Sequence, residues 1–339
     1  MEDVARTAGV SVSTVSRALR GSDLVSPETT ARVRAAAEEL SFAPSRAASS
    51  LATGKLNRVA VLVSGSIGTW FNGTLLDSVY ATLHLAGQEL LIYRTLDAAD
   101  RDEFFVTLPA RRNADALIVA SLELTTAQRG RLRELRMPLV YVNQRVRGAA
   151  AVSIDDAAGA ARATRHLLGL GHRRIAFVGW AHAAGTHPSS ADRLSGYRQV
   201  MVEAGIAVSA QRVLTANRRD EGDAVVTELL GSAPLPTALV VESDELAMSV
   251  LAELSKVGVR VPHTLSVIGF DGHAMAANFG LSTVAQPVVE LGRQAAELAL
   301  SLTGGEPRRR KSIMVPTRLV LRTSTAPPAD GTVDRDTGH

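Results

Sequence analysis

The N-terminal segment combines hydroxyl side chains with one arginine at a spacing suited to contact nucleic acid. Val4, Ala8 and Val15 recur at helical spacing as the inside of two short helices, and Gly9 supplies the tight turn between them. Short hydroxyls suit phosphate oxygens, and an arginine suits the edge of a guanine. The pattern predicts a helix-turn-helix, with a small helical cap carrying ordinary N-cap serines as the alternative. The exposed side chains of the second helix are Ser11, Val12, Ser13, Thr14, Ser16 and Arg17.

Signatures of catalysis and of metal binding are missing from the sequence. The chain has 0 cysteines, which excludes disulfides, thiolate zinc sites and thiol catalysis. It has no nucleotide-binding glycine-rich loop and no Gly-x-Ser-x-Gly elbow. His182 and His187 have no third ligand at a useful spacing. We therefore expect no enzyme activity, no cofactor and no metal.

Length and composition indicate a globular protein of about two domains. The 339 residues are 46% hydrophobic and 21% charged, with a formal net charge of +3. No stretch of about 18 apolar residues predicts a transmembrane helix, and the first residues do not resemble a secretion signal. We expect a cytoplasmic protein without membrane contact.

Local signals predict the elements that must position these side chains. Ser26 and Pro27 begin a third helix, whose apolar positions include Val33 and Ala36. From residue 58 onward, β-branched runs alternate with helical patterns, which predicts parallel sheets covered by helices on both faces. Ten strands favour two sheets that face a ligand-binding cleft. The runs are 58–63, 90–93, 116–119, 139–142, 152–154, 175–178, 212–214, 238–241, 265–268 and 283–285.

Ordered motifs from Asp3 to about Arg322 resemble the lactose/galactose repressor (LacI/GalR) family of bacterial transcription regulators. The matching strings begin with Asp3-Val4-Ala5, Ala8-Gly9-Val10-Ser11 and Thr14-Val15-Ser16-Arg17. They continue with Leu40-Ser41-Phe42-Ala43-Pro44, Gly171-His172-Arg173-Arg174-Ile175-Ala176, Arg193, Gly196-Tyr197, Val267-Ile268-Gly269-Phe270-Asp271 and Gln286-Pro287.

The resemblance implies an α/β protein with an N-terminal helix-turn-helix domain and a two-lobed body. The body would resemble periplasmic binding proteins and consist of parallel, doubly wound sheets. The expected domains are a headpiece over 1–43, a hinge over 44–56, a body over 57–325 and a disordered tail over 326–339. One lobe would comprise about 57–155 and 287–315, and the other about 156–286 and 316–325.

The same resemblance implies a homodimer that binds a pseudo-palindromic operator in double-stranded DNA. Val12, Ser13 and Arg17 would read bases, while Thr14, Ser16 and Thr29 would lie near phosphates. Residues 46–51 would form a hinge helix that places Ala48 and Leu51 against DNA, with Leu51 as a minor-groove wedge. Arg20 stands where most members have Asn, which would alter phosphate contacts. Before Asp3 the family usually has further residues, so either the native start lies upstream or the first helix lacks its usual cap.

A small-molecule effector, sugar-like but of unknown identity, would bind between the lobes. Trp70, Phe71, Asn143, Arg193, Ser243 and Asp271 occupy the family's effector-binding positions. Of the two aromatics, we expect one in the core and one facing ligand. Ser64-Gly65 replaces the common Pro-Asp, which weakens any inference of sugar identity. Asp155-Asp156 resembles an acid/base carboxylate pair, but the family has the pair at a strand-to-helix crossover, so we interpret it as helix capping. We interpret Asp244 as the start of a helix.

Two functions are therefore compared. The first is a DNA-binding repressor that is switched by a small molecule and acts at the nucleoid. The alternative is a solute-binding receptor of a transport system, which would share the two-lobed body. That alternative needs a signal peptide and no helix-turn-helix, and this sequence shows the reverse.

Overall fold

The computed structural model describes residues 1–19, 22–42, 55–144, 146, 148–180, 188–207, 212–216, 221–231, 233–304 and 312–329. The chain divides into two compact units, Met1–Asn57 and Arg58–His339. Among the described residues, no helix has the length and apolar character needed to cross a membrane.

The first unit contains three short helices, α1 (Glu2–Ala8), α2 (Val12–Leu19) and α3 (Pro27–Glu39). Gly9 ends α1 at a φ of 64°, a left-handed conformation that glycine adopts without steric cost. The Ser26 hydroxyl accepts the Thr29 N–H and caps α3, with Pro27 at the first helical position. Val4, Val15 and Val33 are fully buried in a small shared core. The predicted helix-turn-helix and its third helix are confirmed.

The second unit contains twelve described strands and eight described α-helices. The helices are α4 (Trp70–Leu85), α5 (Ala98–Thr107), α6 (Thr126–Arg133), α7 (Asp156–Gly169), α8 (Pro188–Glu203), α9 (Glu221–Leu230), α10 (Asp244–Lys256) and α11 (Val288–Thr303). The strands are β1 (Arg58–Ser64), β2 (Glu89–Thr95), β3 (Ala116–Ala120), β4 (Leu139–Val142), β5 (Ala150–Ser153), β6 (Ile175–Trp180), β7 (Arg212–Ala216), β8 (Ala238–Val241), β9 (Ser266–Asp271), β10 (Ser282–Ala285), β11 (Ser312–Met314) and β12 (Arg318–Val320).

These strands form two six-stranded sheets, one in each lobe. The first has the order β11-β5-β4-β3-β1-β2 and is parallel throughout. The second has the order β12-β10-β9-β8-β6-β7, and only the pair β10–β12 is antiparallel. The ten predicted strands are therefore confirmed, while the short edge strands β11 and β12 were missed.

The chain passes between the two sheets at three described places. It enters the second lobe between β5 and α7, returns between β10 and α11, and crosses again between β11 and β12. Sheet interiors such as Val61 and Ile118 are fully buried, as expected for strands covered on both faces. Because the parallel strands point their carboxyl ends toward the crossings, the strand-end side chains of both lobes meet there.

Candidate functional site

The first candidate surface is the exposed face of α2 in the headpiece. Val15 and Ala18 are buried, while Val12, Ser13 and Arg17 are exposed. This arrangement follows from the helical period, which turns positions 12, 13 and 17 away from the small core. Ser13 and Arg17 thus do not pack in the core and lie exposed on the same helix.

Hydroxyls organise the start of this helix. The Ser11 Oγ accepts the Thr14 N–H at 3.1 Å and lies 2.8 Å from the hydroxyls of both Ser13 and Thr14. Ser16 is half-buried within α2. Thr29 stands in the first turn of α3, where its hydroxyl accepts the Ser26 hydroxyl at 2.9 Å. Helix N-termini and hydroxyls are favourable partners for phosphate groups.

Three of the predicted DNA-binding residues lie outside the described residues. They are Arg20, Ala48 and Leu51. The proposed hinge over 46–51 is outside them as well, so its helix stays a prediction.

The second candidate surface is a cleft between the two lobes, at the carboxyl ends of their strands. From the first lobe it is lined by Ser121, by Asn143 and by five residues between the end of β1 and the start of α4, which are Ser64, Gly65, Ser66, Thr69 and Phe71. The remaining lining residues are Asn72, Trp180, Ser189, Ser190, Arg193, Glu242, Ser243, Glu245, Asp271 and Gln286. Hydroxyls, amides and carboxylates dominate this surface, which suits a polar ligand.

Three lining residues adopt backbone conformations that favour glycine. Ser121 follows β3 with φ 49°, Asn143 follows β4 with φ 58°, and Asp271 ends β9 with φ 123°. Non-glycine residues in this region carry a steric cost of about 1–3 kcal/mol, and such residues cluster at ligand sites. All three residues stand at strand ends and line the cleft, so their position there is maintained despite an unfavourable backbone conformation.

Arg193 of α8 is buried among acidic groups. Its Nε donates to Asp156 Oδ1 at 2.8 Å, and its Nη1 donates to the Glu242 carbonyl and to Asp271 Oδ1, the latter at 3.4 Å. The guanidinium carbon also lies 3.8 Å from the centre of the Phe270 ring, a favourable cation–π geometry. Arg193 is therefore a structural junction in the second lobe as well as a lining residue.

Burial and charge act against each other in this junction. Burial alone would lower the pKa of Arg193, but Asp156, Asp271 and Glu242 outweigh it, so the pKa lies above its usual value. Burial raises the pKa of Asp156 even though Arg193 opposes it. Burial likewise raises the pKa of Asp271 to about 8, again against the effect of Arg193. One guanidinium does not fully compensate the carboxyl groups around it.

The interpretation of the Asp155-Asp156 pair as caps is half right. The Asp155 side chain accepts the Ala158 N–H and caps α7. Asp156 instead turns inward, is only 6% exposed and pairs with Arg193. The correction has a local cause, because the first helical turn directs successive side chains to different faces.

Ser243 and Asp244 connect α10 to the loop that follows β9. The Ser243 Oγ accepts the Leu246 N–H as the helix cap. Asp244 stands in the first helical turn, as expected, and its Oδ2 accepts the N–H groups of Gly272 and His273 at 2.8 and 2.7 Å. Burial raises the pKa of Asp244 to about 6. These bonds hold the backbone next to Asp271 in place.

The two aromatic residues of the first lobe lie side by side at the start of α4. Phe71 lines the cleft, whereas the Trp70 ring lies 5.2 Å from that of His273 in the opposite lobe. The Trp70 N–H donates to Glu245 Oε1 at 3.1 Å, and Asn143 Nδ2 donates to Ser189 Oγ at 3.2 Å. Both aromatics are only partly buried, so neither is the core residue that we expected. The lobes are thus joined across the cleft by polar and ring contacts.

Comparison with known proteins places both surfaces in a family. Residues 1–45 match the model "Bacterial regulatory proteins, lacI family", and residues 164–325 match the "Periplasmic binding protein-like domain". The HTH-type transcriptional regulator GalR of Escherichia coli is 32% identical over 335 residues, covering 97% of this chain and 96% of GalR. The chain belongs to the lacI family of bacterial regulatory proteins. It is a DNA-binding transcriptional regulator.

Solved structures agree with the fold of this lacI-family protein. A transcriptional regulator CelR–cellobiose complex is 29% identical, with a TM-score of 0.71 over 95% of this chain and 98% of that one. The Lac repressor dimer bound to operator and the anti-inducer ONPF is 23% identical, with a TM-score of 0.83 over 96% and 98%. The predicted fold class and family are confirmed.

The cleft brings together five of the six predicted effector residues, Phe71, Asn143, Arg193, Ser243 and Asp271. Trp70 is not among the lining residues, but its N–H donates to Glu245, which is one of them. Sequence reasoning missed Ser121, Ser189, Ser190, Glu242, Glu245 and Gln286. A usable signal existed for three of them, because Ser121 directly follows β3, Glu242 directly follows β8 and Gln286 directly follows β10. Polar residues just after parallel strands are candidates for ligand contact in any α/β sheet.

Proposed function

We propose that this lacI-family protein is a dimeric repressor that binds a pseudo-palindromic operator and is controlled by a small effector in the interlobe cleft. The observation that carries the proposal is the pairing of an exposed α2 face with a polar cleft on the same chain. Ser121 Oγ, Asn143 Oδ1 and Gln286 Oε1 line that cleft as buried polar atoms without a partner among the described residues. Such atoms are costly unless a ligand or water satisfies them.

The DNA contacts follow from the chemistry of the headpiece. Val12, Ser13 and Arg17 read bases in the major groove, and Thr14, Ser16 and Thr29 contact phosphates. From the sequence, Arg20 adds a backbone contact, while Ala48 and Leu51 contact the minor groove from the hinge. The Lac repressor structure, a dimer on its operator, supports the homodimer as the DNA-binding form.

The effector would act because it touches both lobes. Phe71 and Asn143 belong to the first lobe, while Arg193, Ser243 and Asp271 belong to the second. A ligand held by both sets stabilises one interlobe angle over others, and operator affinity then changes by the same factor as ligand affinity. The cellobiose complex of CelR supports a sugar-like effector. Nothing in the cleft favours a transport receptor, which would not account for the N-terminal helices.

Fluorescence anisotropy with the full chain tests this function. A labelled duplex from the upstream region of the protein's own gene is titrated with and without each sugar of a panel, and a scrambled duplex of equal length is the control. Specific binding of 10³-fold or more over the control is expected at order of magnitude, with one effector changing it by about 5–150-fold. Equal affinity for both duplexes would refute DNA-specific regulation.

A further inference from the structure

The described lining residues of the cleft include more carboxyl groups than cationic groups. Glu242, Glu245 and Asp271 supply three carboxyl groups from the second lobe. Arg193 is the one cationic residue among the described lining residues. Its Nε and Nη1 are already used by Asp156, Asp271 and the Glu242 carbonyl. Because burial raises the pKa of Asp271 to about 8, the carboxylates that face this guanidinium among the described lining residues are Glu242 and Glu245, which leaves that set with a net negative charge.

Two buried amides independently indicate what kind of group is missing. Asn143 is 6% exposed and Gln286 5% exposed, and both line the cleft. Their N–H groups donate to Ser189 Oγ and to Asp271 Oδ1, which leaves Asn143 Oδ1 and Gln286 Oε1 as buried acceptors without a partner among the described residues. Both amide oxygens therefore call for a hydrogen-bond donor.

We propose that the effector of this cleft carries a positively charged donor, a protonated amine on a hydroxylated body such as an amino sugar. The inference rests on the proposed function, since it assigns the chemical class of the ligand at that same site. An ammonium group supplies three donors and no acceptor, which matches the two amide oxygens, Asn143 Oδ1 and Gln286 Oε1. Sugar phosphates and sugar acids bring further negative charge next to Glu242 and Glu245, and the cleft discriminates against them.

Glu242 is the residue best placed to hold the amine. It is 5% exposed, and its Oε1 accepts the Ser190 hydroxyl at 3.0 Å. A side chain at position 179 would not fit beside it, because a Cβ there would lie 2.7 Å from Glu242 Oε2. The absence of a side chain at Gly179 thus makes room for a carboxylate that reaches the cleft wall. Hydrogen bonds between charged partners in such a setting are stronger than neutral ones.

The two tryptophans of the chain allow a test that needs no knowledge of the ligand. Trp180 lines the cleft and the Trp70 N–H donates to Glu245 of the cleft, so the intrinsic fluorescence reports on this region. Quenching by caesium, iodide and neutral acrylamide is measured on the full chain and normalised to N-acetyltryptophanamide. An acidic cleft concentrates cations, so we expect caesium to quench about twofold or more better than iodide after normalisation.

Matched variants locate the charge. Glu242→Gln preserves the shape of the side chain and the acceptor for the Ser190 hydroxyl but removes one negative charge. The ratio of the caesium to the iodide quenching constant should therefore shift toward one. Glu228→Gln is the control, because Glu228 is exposed on α9 outside the cleft, and should leave the ratio unchanged. Iodide quenching equal to or stronger than caesium quenching in the unmodified protein overturns the inference.

Calorimetry with sugar sets tests the ligand class directly. Each set contains a hexose, its 2-amino-2-deoxy form, its uronic acid and its 6-phosphate, in gluco, galacto and manno configurations. We expect the tightest binder to be an amine, and Glu242→Gln to weaken it about tenfold while neutral sugars are unaffected. If a neutral or acidic sugar binds at least as tightly and shifts operator affinity, the amine is wrong but the proposed function stands. If operator DNA is bound no better than scrambled DNA, the proposed function fails instead.

Discussion

We predict that removal of Arg193 destabilises the second lobe, so that its effect is not limited to ligand binding. The resemblance to the family suggested that Arg193 is a ligand-binding residue. In the structure its side chain is 8% exposed and paired with Asp156 at 2.8 Å and Asp271 at 3.4 Å. Arg193→Met keeps an apolar chain against Phe270 but leaves two buried carboxyl groups without their counter-ion.

The expected cost is about 3–5 kcal/mol of unfolding free energy, the range for breaking a buried ion pair by removing one partner. Arg193 opposes the burial that raises the pKa of both carboxyl groups, so its loss raises those pKa values further. The carboxyl groups then take up protons at neutral pH, which reduces the cost. We therefore expect the variant's deficit to be smaller at pH 6 and larger above pH 8.

Urea denaturation of four proteins measures this cost: the wild type, Arg193→Met, Asp156→Asn and the double variant. Neutralising Asp156 removes part of the unpaired charge. The summed losses of unfolding free energy in the two single variants should therefore exceed the loss in the double variant by about 1 kcal/mol or more. Arg198→Met is the control on the same helix, because Arg198 is exposed, and should stay within about 0.5 kcal/mol. An Arg193→Met protein within about 1 kcal/mol of wild type at pH 8 would refute the structural role.

Four further predictions concern DNA, the hinge, pH and packing. Arg17→Ala should cost about 1–3 kcal/mol on the specific operator in competition titrations, and an equal loss on random DNA would argue against base reading. Leu51→Ala should weaken operator binding strongly, and amide exchange should show 46–51 protected only with DNA; protection in free protein contradicts the hinge. Asp271, with a pKa of about 8 when folded and about 4 when unfolded, keeps a proton that the unfolded chain has lost. Stability therefore falls by about 2 kcal/mol from pH 6.5 to 8, and Asp271→Asn should flatten that slope in denaturation curves; parallel slopes would exclude the effect. In Gly196→Ala the new Cβ would lie 2.1 Å from the Ala157 carbonyl oxygen, so thermal unfolding should show a loss of about 1–3 kcal/mol, whereas Gly169→Ala, with open space, should not.

Local chemistry was sufficient to predict the elements of this protein. The Ser26-Pro27 cap, the Gly9 turn and the valines at helical spacing act over a few residues, so the headpiece helices could be predicted from sequence. The ten β-branched runs follow from the same short-range rule. The edge strands β11 and β12 were missed because they are short and their residues are exposed or half-buried, so they lack the buried apolar run that marks the central strands.

The contents of the cleft, by contrast, were decided only by the tertiary structure. The resemblance pointed to Arg193 and Asp271, but Asp156 and Glu242 join them from positions 37 and 49 residues away from Arg193. The left-handed conformations of Ser121, Asn143 and Asp271 also have no local signal, since none is a glycine. Periodicity specifies which face of an element is buried, whereas the grouping of these side chains depends on how parallel strands from distant segments end at one edge.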